Sequence, residues 1–189
     1  LLDVIASLTI LLLLSPLLFV IAMAIKLDSS GPVLFSQIRV GRAGRLFRIY
    51  KFRSMSKDAE KGGKAVWAAA NDARVTRVGA FIRNTRIDEL PQIWNVLKGD
   101  MSIIGPRPLL VMYLPLYSEE QATRHNIRPG ITGWAQVTGF RGETKQVSDM
   151  ANRSAADIWY IESWTFLLDL KIIVLTVWQV AFKRDENAF

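Results

Sequence analysis

The chain lacks cysteine altogether and has one histidine, His125, among 189 residues. The missing thiols exclude a disulfide framework, thiolate catalysis and Cys-ligated zinc. A single imidazole excludes a multi-His centre within one chain, so any metal would be a hard cation such as Mg²⁺ on carboxylates. Ionisable residues are absent from Val4 to Ile25, and acidic residues from Ser29 to Lys57. No internal repeat or low-complexity tract is evident. Half of the residues are hydrophobic, which excludes a disordered chain. What is there is basic, with 24 Lys and Arg against 17 Asp and Glu and a net charge of +7. The length suits one domain, or one domain with an anchor. The chain begins at Leu1 rather than Met, which leaves upstream segments open.

The uncharged run would be about 33 Å long as a straight helix, enough to cross a hydrocarbon core. Hydropathy alone reads it as a transmembrane span. No Ala-x-Ala cleavage site follows it, which argues against a signal peptide. Ser15-Pro16 at its middle supports a different geometry. Proline removes the N–H that would bond the Leu12 carbonyl, and its ring crowds the preceding turn, so the helix should kink. The Ser15 hydroxyl can satisfy the loosened backbone in lipid. A kink there lets both halves return to one face, as a re-entrant helix. The basic residues from Arg39 to Arg53 mark the cytoplasmic side and draw that flank to anionic lipid.

Downstream, 28–32 reads as a turn, and 33–40 with 46–52 as a β-hairpin around Gly41-Arg42-Ala43-Gly44. The polar segment 56–71 reads as a mobile loop with some helical character. Helical spacing covers 75–84. Leu90, Ile93, Trp94 and Leu97 fall at i, i+3, i+4 and i+7, an amphipathic helix with Asp88 at its N-cap and Gly99 as its stop. Residues 109–124 read as a helix bent at Pro115, and 158–182 as an interfacial helix rich in aromatic residues.

Asp88-Glu89 is the pattern with the most chemistry. As structure, the pair caps a helix and complements its dipole. As function, donors at a helix end keep Asp88 ionised and nucleophilic, and Glu89, roughly 100° further round, is free to hold Mg²⁺. Arg83 and Arg86 precede the pair. Gly105-Pro106-Arg107-Pro108 and Arg128-Pro129-Gly130 present arginines on stiff turns suited to a diphosphate. Singly, each of these features is an ordinary surface residue. Together they suggest a phosphate-handling site.

Several strings occur in order: Lys51-Phe52-Arg53-Ser54-Met55, Arg86-Ile87-Asp88-Glu89-Leu90-Pro91-Gln92, Gly99-Asp100-Met101-Ser102-Ile103-Ile104-Gly105-Pro106-Arg107-Pro108 and Arg128-Pro129-Gly130-Ile131-Thr132-Gly133-Trp134-Ala135-Gln136-Val137. On these the chain closely resembles the bacterial sugar transferase family, the monotopic phosphoglycosyl transferases. The resemblance implies a helix-rich mixed α/β fold. It also implies a kinked re-entrant membrane helix at 1–27 and a catalytic domain at 28–189 on the cytoplasmic face of the bacterial inner membrane. Asp88 matches the nucleophile that attacks a UDP-sugar, releases UMP and passes the sugar phosphate to polyprenol (undecaprenyl) phosphate. Glu89 matches the Mg²⁺ ligand. Lys51, Arg83, Arg107 and Arg128 match positions near the phosphates or the dyad, and Arg141 matches a substrate-recognition position. Asp169 matches the acid of a structural ion pair with an arginine such as Arg83, and Ser15-Pro16 matches the helix break. The implied partners are the UDP-sugar, the polyprenol phosphate, inner-membrane phospholipids and a second copy of the chain in a homodimer, with no nucleic acid. Residues 109–117 resemble compact members, whereas 139–144 resemble longer members with further membrane helices upstream. Two competing readings are a non-enzymatic basic membrane-surface module and a nucleotide-sugar hydrolase.

Overall fold

A computed structural model describes residues 2–57, 59, 72–140 and 147–182. Among them seven α-helices and four short strands form a helix-rich mixed α/β fold with an apolar N-terminal helix, as the sequence predicts. Helix α1 runs over Leu2–Asp28. Strands β1 (Leu34–Val40) and β2 (Leu46–Phe52) pair antiparallel, with Leu34 opposite Phe52 and Val40 opposite Leu46. Helices α2 (Arg77–Asn84) and α3 (Gln92–Leu97) follow, then β3 (Ser102–Ile104). After α4 (Glu119–Ala122), β4 (Gly130–Thr132) pairs parallel with β3, Ser102 beside Gly130 and Ile104 beside Thr132. The rest is helical: α5 (Trp134–Val137), α6 (Val147–Glu162) and α7 (Phe166–Phe182).

Helix α1 is long and apolar enough to cross a membrane, the one such helix among the described residues. Straight, it would measure about 40 Å. Pro16 lies inside it, and the Ser15 hydroxyl donates to the Leu12 carbonyl at 2.9 Å, the acceptor that proline leaves without its N–H. Both ends of α1 are tied to the rest of the protein. Near the start, the Asp3 carboxylate accepts from the Ser102 hydroxyl at 2.9 Å and the Ile103 N–H at 3.2 Å. At the other end, Asp28 accepts from the Val78 N–H at 3.2 Å. Arg53 donates to the carbonyls of Ser30 and, at 2.8 Å, Ser29, a cation on the negative end of the helix dipole. The middle is bare: Leu12, Leu13 and Phe19 are 76, 71 and 68% exposed.

Ile21 and Ile25 of α1 pack with Phe52 of β2 and Ile82 of α2. A second cluster, Ile49, Val96 and Met101, joins the hairpin to α3 and β3. Such buried aliphatics each contribute about 1.5–3 kcal/mol. The β3–β4 contact depends on bare backbone. A Cβ on Gly130 would lie 2.1 Å from the Gly105 nitrogen, and one on Gly133 equally close to the Gly105 oxygen. These glycines let the turns carrying Arg107 and Arg128 approach each other.

Several predicted elements differ in detail. Asp88 is not the N-cap of α3; that place belongs to Pro91, and Asp88 sits in a preceding 3-10 turn, Ile87–Glu89. The cause is Arg86, whose left-handed φ of 59° breaks the path from α2. The face of α3 is also rotated. Gln92, Ile93, Asn95 and Val96 are buried while Trp94 is 55% exposed. Asn95 is inside because it bonds the β2 backbone, accepting from the Tyr50 N–H at 3.1 Å and donating to the Arg48 carbonyl at 2.7 Å. The helix expected over 109–124 is broken into a 3-10 turn at Val111–Leu116 and α4, because Ser118 and Gln121 form a capping box that starts a new helix. The single helix expected over 158–182 divides between α6 and α7, where the Thr165 hydroxyl accepts from the Leu168 N–H and caps α7.

Candidate active site

The pleat of the hairpin builds the floor of a cavity of about 330 Å³. Phe35, Gln37 and Arg39 alternate along β1, and Ile49 and Lys51 along β2, so that one face lines the cavity. The segment after β2, including Arg53, Met55 and Lys57, forms a second wall, and Arg83 and Asp88 close it. Among the described lining residues five are cationic, Arg39, Lys51, Arg53, Lys57 and Arg83, and one is acidic, Asp88, a balance that suits an anionic ligand.

Glu89 follows Asp88 in the same 3-10 turn. Its Oε1 accepts from Lys51 Nζ at 2.6 Å and Arg107 Nη2 at 2.5 Å, and its Oε2 from Arg107 Nη1 at 3.2 Å. Burial favours the neutral acid, yet the charges of Arg107 and Lys51 prevail and hold Glu89 well below the usual carboxylate range. Its charge in turn raises Arg107. Asp88 is placed differently. Its carboxylate accepts no hydrogen bond from a described residue, and burial, with repulsion from Glu89, pushes its pKa up to about 6 against the pull of Lys51, Arg107 and Arg83. Adjacent carboxylates thus have opposite environments, one clamped and one open.

Among the described residues no three His, Cys, Asp or Glu side chains cluster as a metal site. A hard cation nevertheless fits the dyad. Asp88 is unbonded and Glu89 Oε2 receives a single donor, leaving oxygens for an ion that completes its shell from water and ligand phosphates, the habit of Mg²⁺.

Of the residues singled out in the sequence, Lys51, Arg83, Asp88, Glu89 and Arg107 come together here. Arg128 does not join them by any bond; its guanidinium lies 3.5 Å from Asp3 at the start of α1. Asp169 takes neutral donors in place of the expected arginine, the Tyr160 hydroxyl at 2.7 Å and Trp164 Nε1 at 3.0 Å. Arg141 lies outside the described residues. Sequence reasoning missed Gln37, Arg39 and the capping role of Arg53. The signal was there, because Gln37 and Arg39 alternate with Phe35 opposite the strand that carries Lys51.

The match to known proteins agrees with this geometry. Residues 1–183 match the model for bacterial sugar transferases. The chain belongs to that family. It is 48% identical over 99% of its length to an undecaprenyl-phosphate glucose phosphotransferase of Komagataeibacter xylinus, of which it covers 36%. It is 49% identical over its whole length to a UDP-glucose:undecaprenyl-phosphate glucose-1-phosphate transferase of Caulobacter vibrioides, covering 70% of that protein. A UDP-N-acetylgalactosamine-undecaprenyl-phosphate N-acetylgalactosaminephosphotransferase of Aeromonas hydrophila is 47% identical over 93% of the chain, which spans 41% of it. The chain therefore spans well under half the length of some relatives and most of others.

Proposed function

We propose that this protein transfers a sugar-1-phosphate from a UDP-sugar to undecaprenyl phosphate through a covalent intermediate on Asp88. The observation that carries this reading is the dyad itself: Asp88 is open to a cationic cavity, while the neighbouring Glu89 is locked by Lys51 and Arg107. Relatives named for glucose and for N-acetylgalactosamine point to a UDP-hexose donor.

In the first half-reaction an Asp88 carboxylate oxygen attacks the phosphorus that bears the sugar. The bond from that phosphorus to the bridging oxygen breaks, and its electron pair leaves with UMP. Burial makes Asp88 more basic than an ordinary aspartate and a stronger nucleophile once ionised. Lys51, Arg83 and Arg107 offset the repulsion between this carboxylate and the diphosphate. In the second half-reaction a phosphate oxygen of the polyprenol phosphate attacks the same phosphorus. The Asp88 oxygen leaves, the carboxylate is restored, and the product is a polyprenol-diphosphate sugar. A bound Mg²⁺, held by Glu89 beside Asp88, would supply charge neutralisation for the diphosphate.

The acceptor sets the location. A polyprenol chain stays in the bilayer, so the site works at the headgroup plane of the inner membrane, on the cytoplasmic face where UDP-sugars are found. Helix α1 enters and leaves by that one face. This topology is supported by the bonds that Asp3 and Asp28 make at opposite ends of the helix and by the exposed apolar middle around Pro16. The reaction is then the first membrane step in assembling a polysaccharide or glycoconjugate.

The test is UMP release from a panel of UDP-sugars with Mg²⁺, with and without undecaprenyl phosphate. Sustained release that requires the acceptor is expected. Equal sustained release without it would make the protein a hydrolase, and no release from any donor would remove the reading.

A further inference from the structure

Arg107 is bracketed by Pro106 and Pro108, so its backbone has little freedom of its own. The carbonyls of this turn are also held. Pro106 accepts from the Gly130 N–H at 3.0 Å, and Pro108 from Arg39 at 3.2 Å. The Arg107 carbonyl accepts from Arg124 Nη2 at 2.9 Å.

Arg124 is among the most deeply buried side chains, 2% exposed, and so is its partner Asp157 on α6, also at 2%. Arg124 Nε and Nη2 donate to Asp157 Oδ2 at 3.0 and 2.5 Å, and Nη1 donates to the Tyr117 hydroxyl at 3.1 Å. A buried ion pair of this kind gains little stability over apolar packing, since desolvation consumes most of its attraction. Its distinctive property is direction. The guanidinium is a planar fork, and fixing two edges on Asp157 and Tyr117 aims the remaining Nη2 hydrogen at the Arg107 carbonyl.

We infer that Asp157 and Arg124 are positioning residues: through the Arg107 backbone they set the angle at which the Arg107 fork meets Glu89, and so the geometry of the dyad. Neither touches the cavity, and both act through Arg107. The consequence for turnover rests on the transferase reading above; the consequence for Arg107 does not. A misplaced fork lowers kcat by about 10- to 100-fold, with little change in the KM for the UDP-sugar.

The experiment compares the wild type, Asp157→Asn, Arg107→Ala and the double variant, each of full length in detergent and checked for its melting temperature. Tyr117→Phe is the milder variant, since it keeps the ring and removes only the acceptor for Nη1. Two readouts are taken. Arginine side-chain NMR follows restricted rotation of the Arg107 guanidinium, which two bonds to Glu89 enforce. UMP release gives kcat. Asp157→Asn should free the Arg107 signal and lower kcat, Tyr117→Phe should do the same more weakly, and Asp157→Asn should cost nothing further in the Arg107→Ala background. An unchanged Arg107 signal in a folded Asp157→Asn protein overturns the inference. So does an equal fall in kcat with and without Arg107, which would mark a purely structural pair. A freed Arg107 signal in Asp157→Asn where the wild type itself releases no UMP upholds the pair while removing the transferase reading.

Discussion

Arg107 meets Glu89 with both terminal nitrogens, at 2.5 and 3.2 Å, so the carboxylate is gripped by a fork and not by a point charge. Lys51 shares Oε1 from the other side. The result is one carboxylate of the dyad with fixed direction and fixed charge, beside one left open.

Arg107→Lys tests the fork. It keeps the charge but loses the second bond, so turnover should fall about 10- to 100-fold while the protein still folds. Steady-state UMP release measures it, and wild-type turnover would show that charge alone suffices.

Ile82→Ala tests the packing that joins α1 to the site. Ile82 is 0% exposed and packs on Ile21, Ile25 and Phe52. Loss of its side chain should cost about 2–5 kcal/mol, read as a lower denaturation midpoint in detergent. A shift too small to measure would mean that this cluster can collapse around the gap.

The absence of cysteine makes topology easy to probe. Leu2→Cys and Leu27→Cys place single thiols at exposed positions near the ends of α1. In sealed inverted vesicles the proposed re-entrant geometry predicts that both react with a membrane-impermeant maleimide. Labelling of only one end would make α1 a span.

His125 gives a pH signature. Partial burial and the neighbouring Arg124 depress its pKa to about 4, and it meets Tyr117 edge-on at 5.4 Å. An unfolded histidine titrates at about 6.5. Between those values the unfolded state binds the extra proton, so the stability due to neutral His125 is complete above the unfolded pKa and is lost as pH falls towards 4. Thermal melts from pH 7.5 to 4.5 should show a shallower decline in His125→Phe, and parallel curves would contradict the assignment.

What the sequence made legible was local. The hairpin followed from alternation and a Gly-rich turn, and Lys51 reached the dyad because the pleat leaves it on the cavity face. Pro16 could be read because a missing N–H has one identifiable victim, the Leu12 carbonyl. Asp88 is not the cap that its position suggests, because nothing local announces the left-handed φ of Arg86. The helix that apolar spacing suggests over 109–124 does not form as one piece, because the Ser118 capping box outweighs that spacing. Arg124 and Asp157 stand 33 positions apart, and no periodicity or motif connects two buried charges across that distance. Asp169, expected to meet an arginine, is surrounded by Tyr160 and Trp164, contacts set by the break between α6 and α7.

Whether Asp88 forms a covalent bond to the sugar phosphate is decided by trapping that bond. The full chain is mixed with UDP-glucose, or the donor that the panel selects, and Mg²⁺ without acceptor; it is then quenched and digested for peptide mass spectrometry. A hexose-phosphate adduct is expected on the peptide containing Asp88, equimolar with UMP, absent in Asp88→Asn and discharged by undecaprenyl phosphate. UMP release with that peptide unmodified, or an adduct that survives in Asp88→Asn, would contradict it.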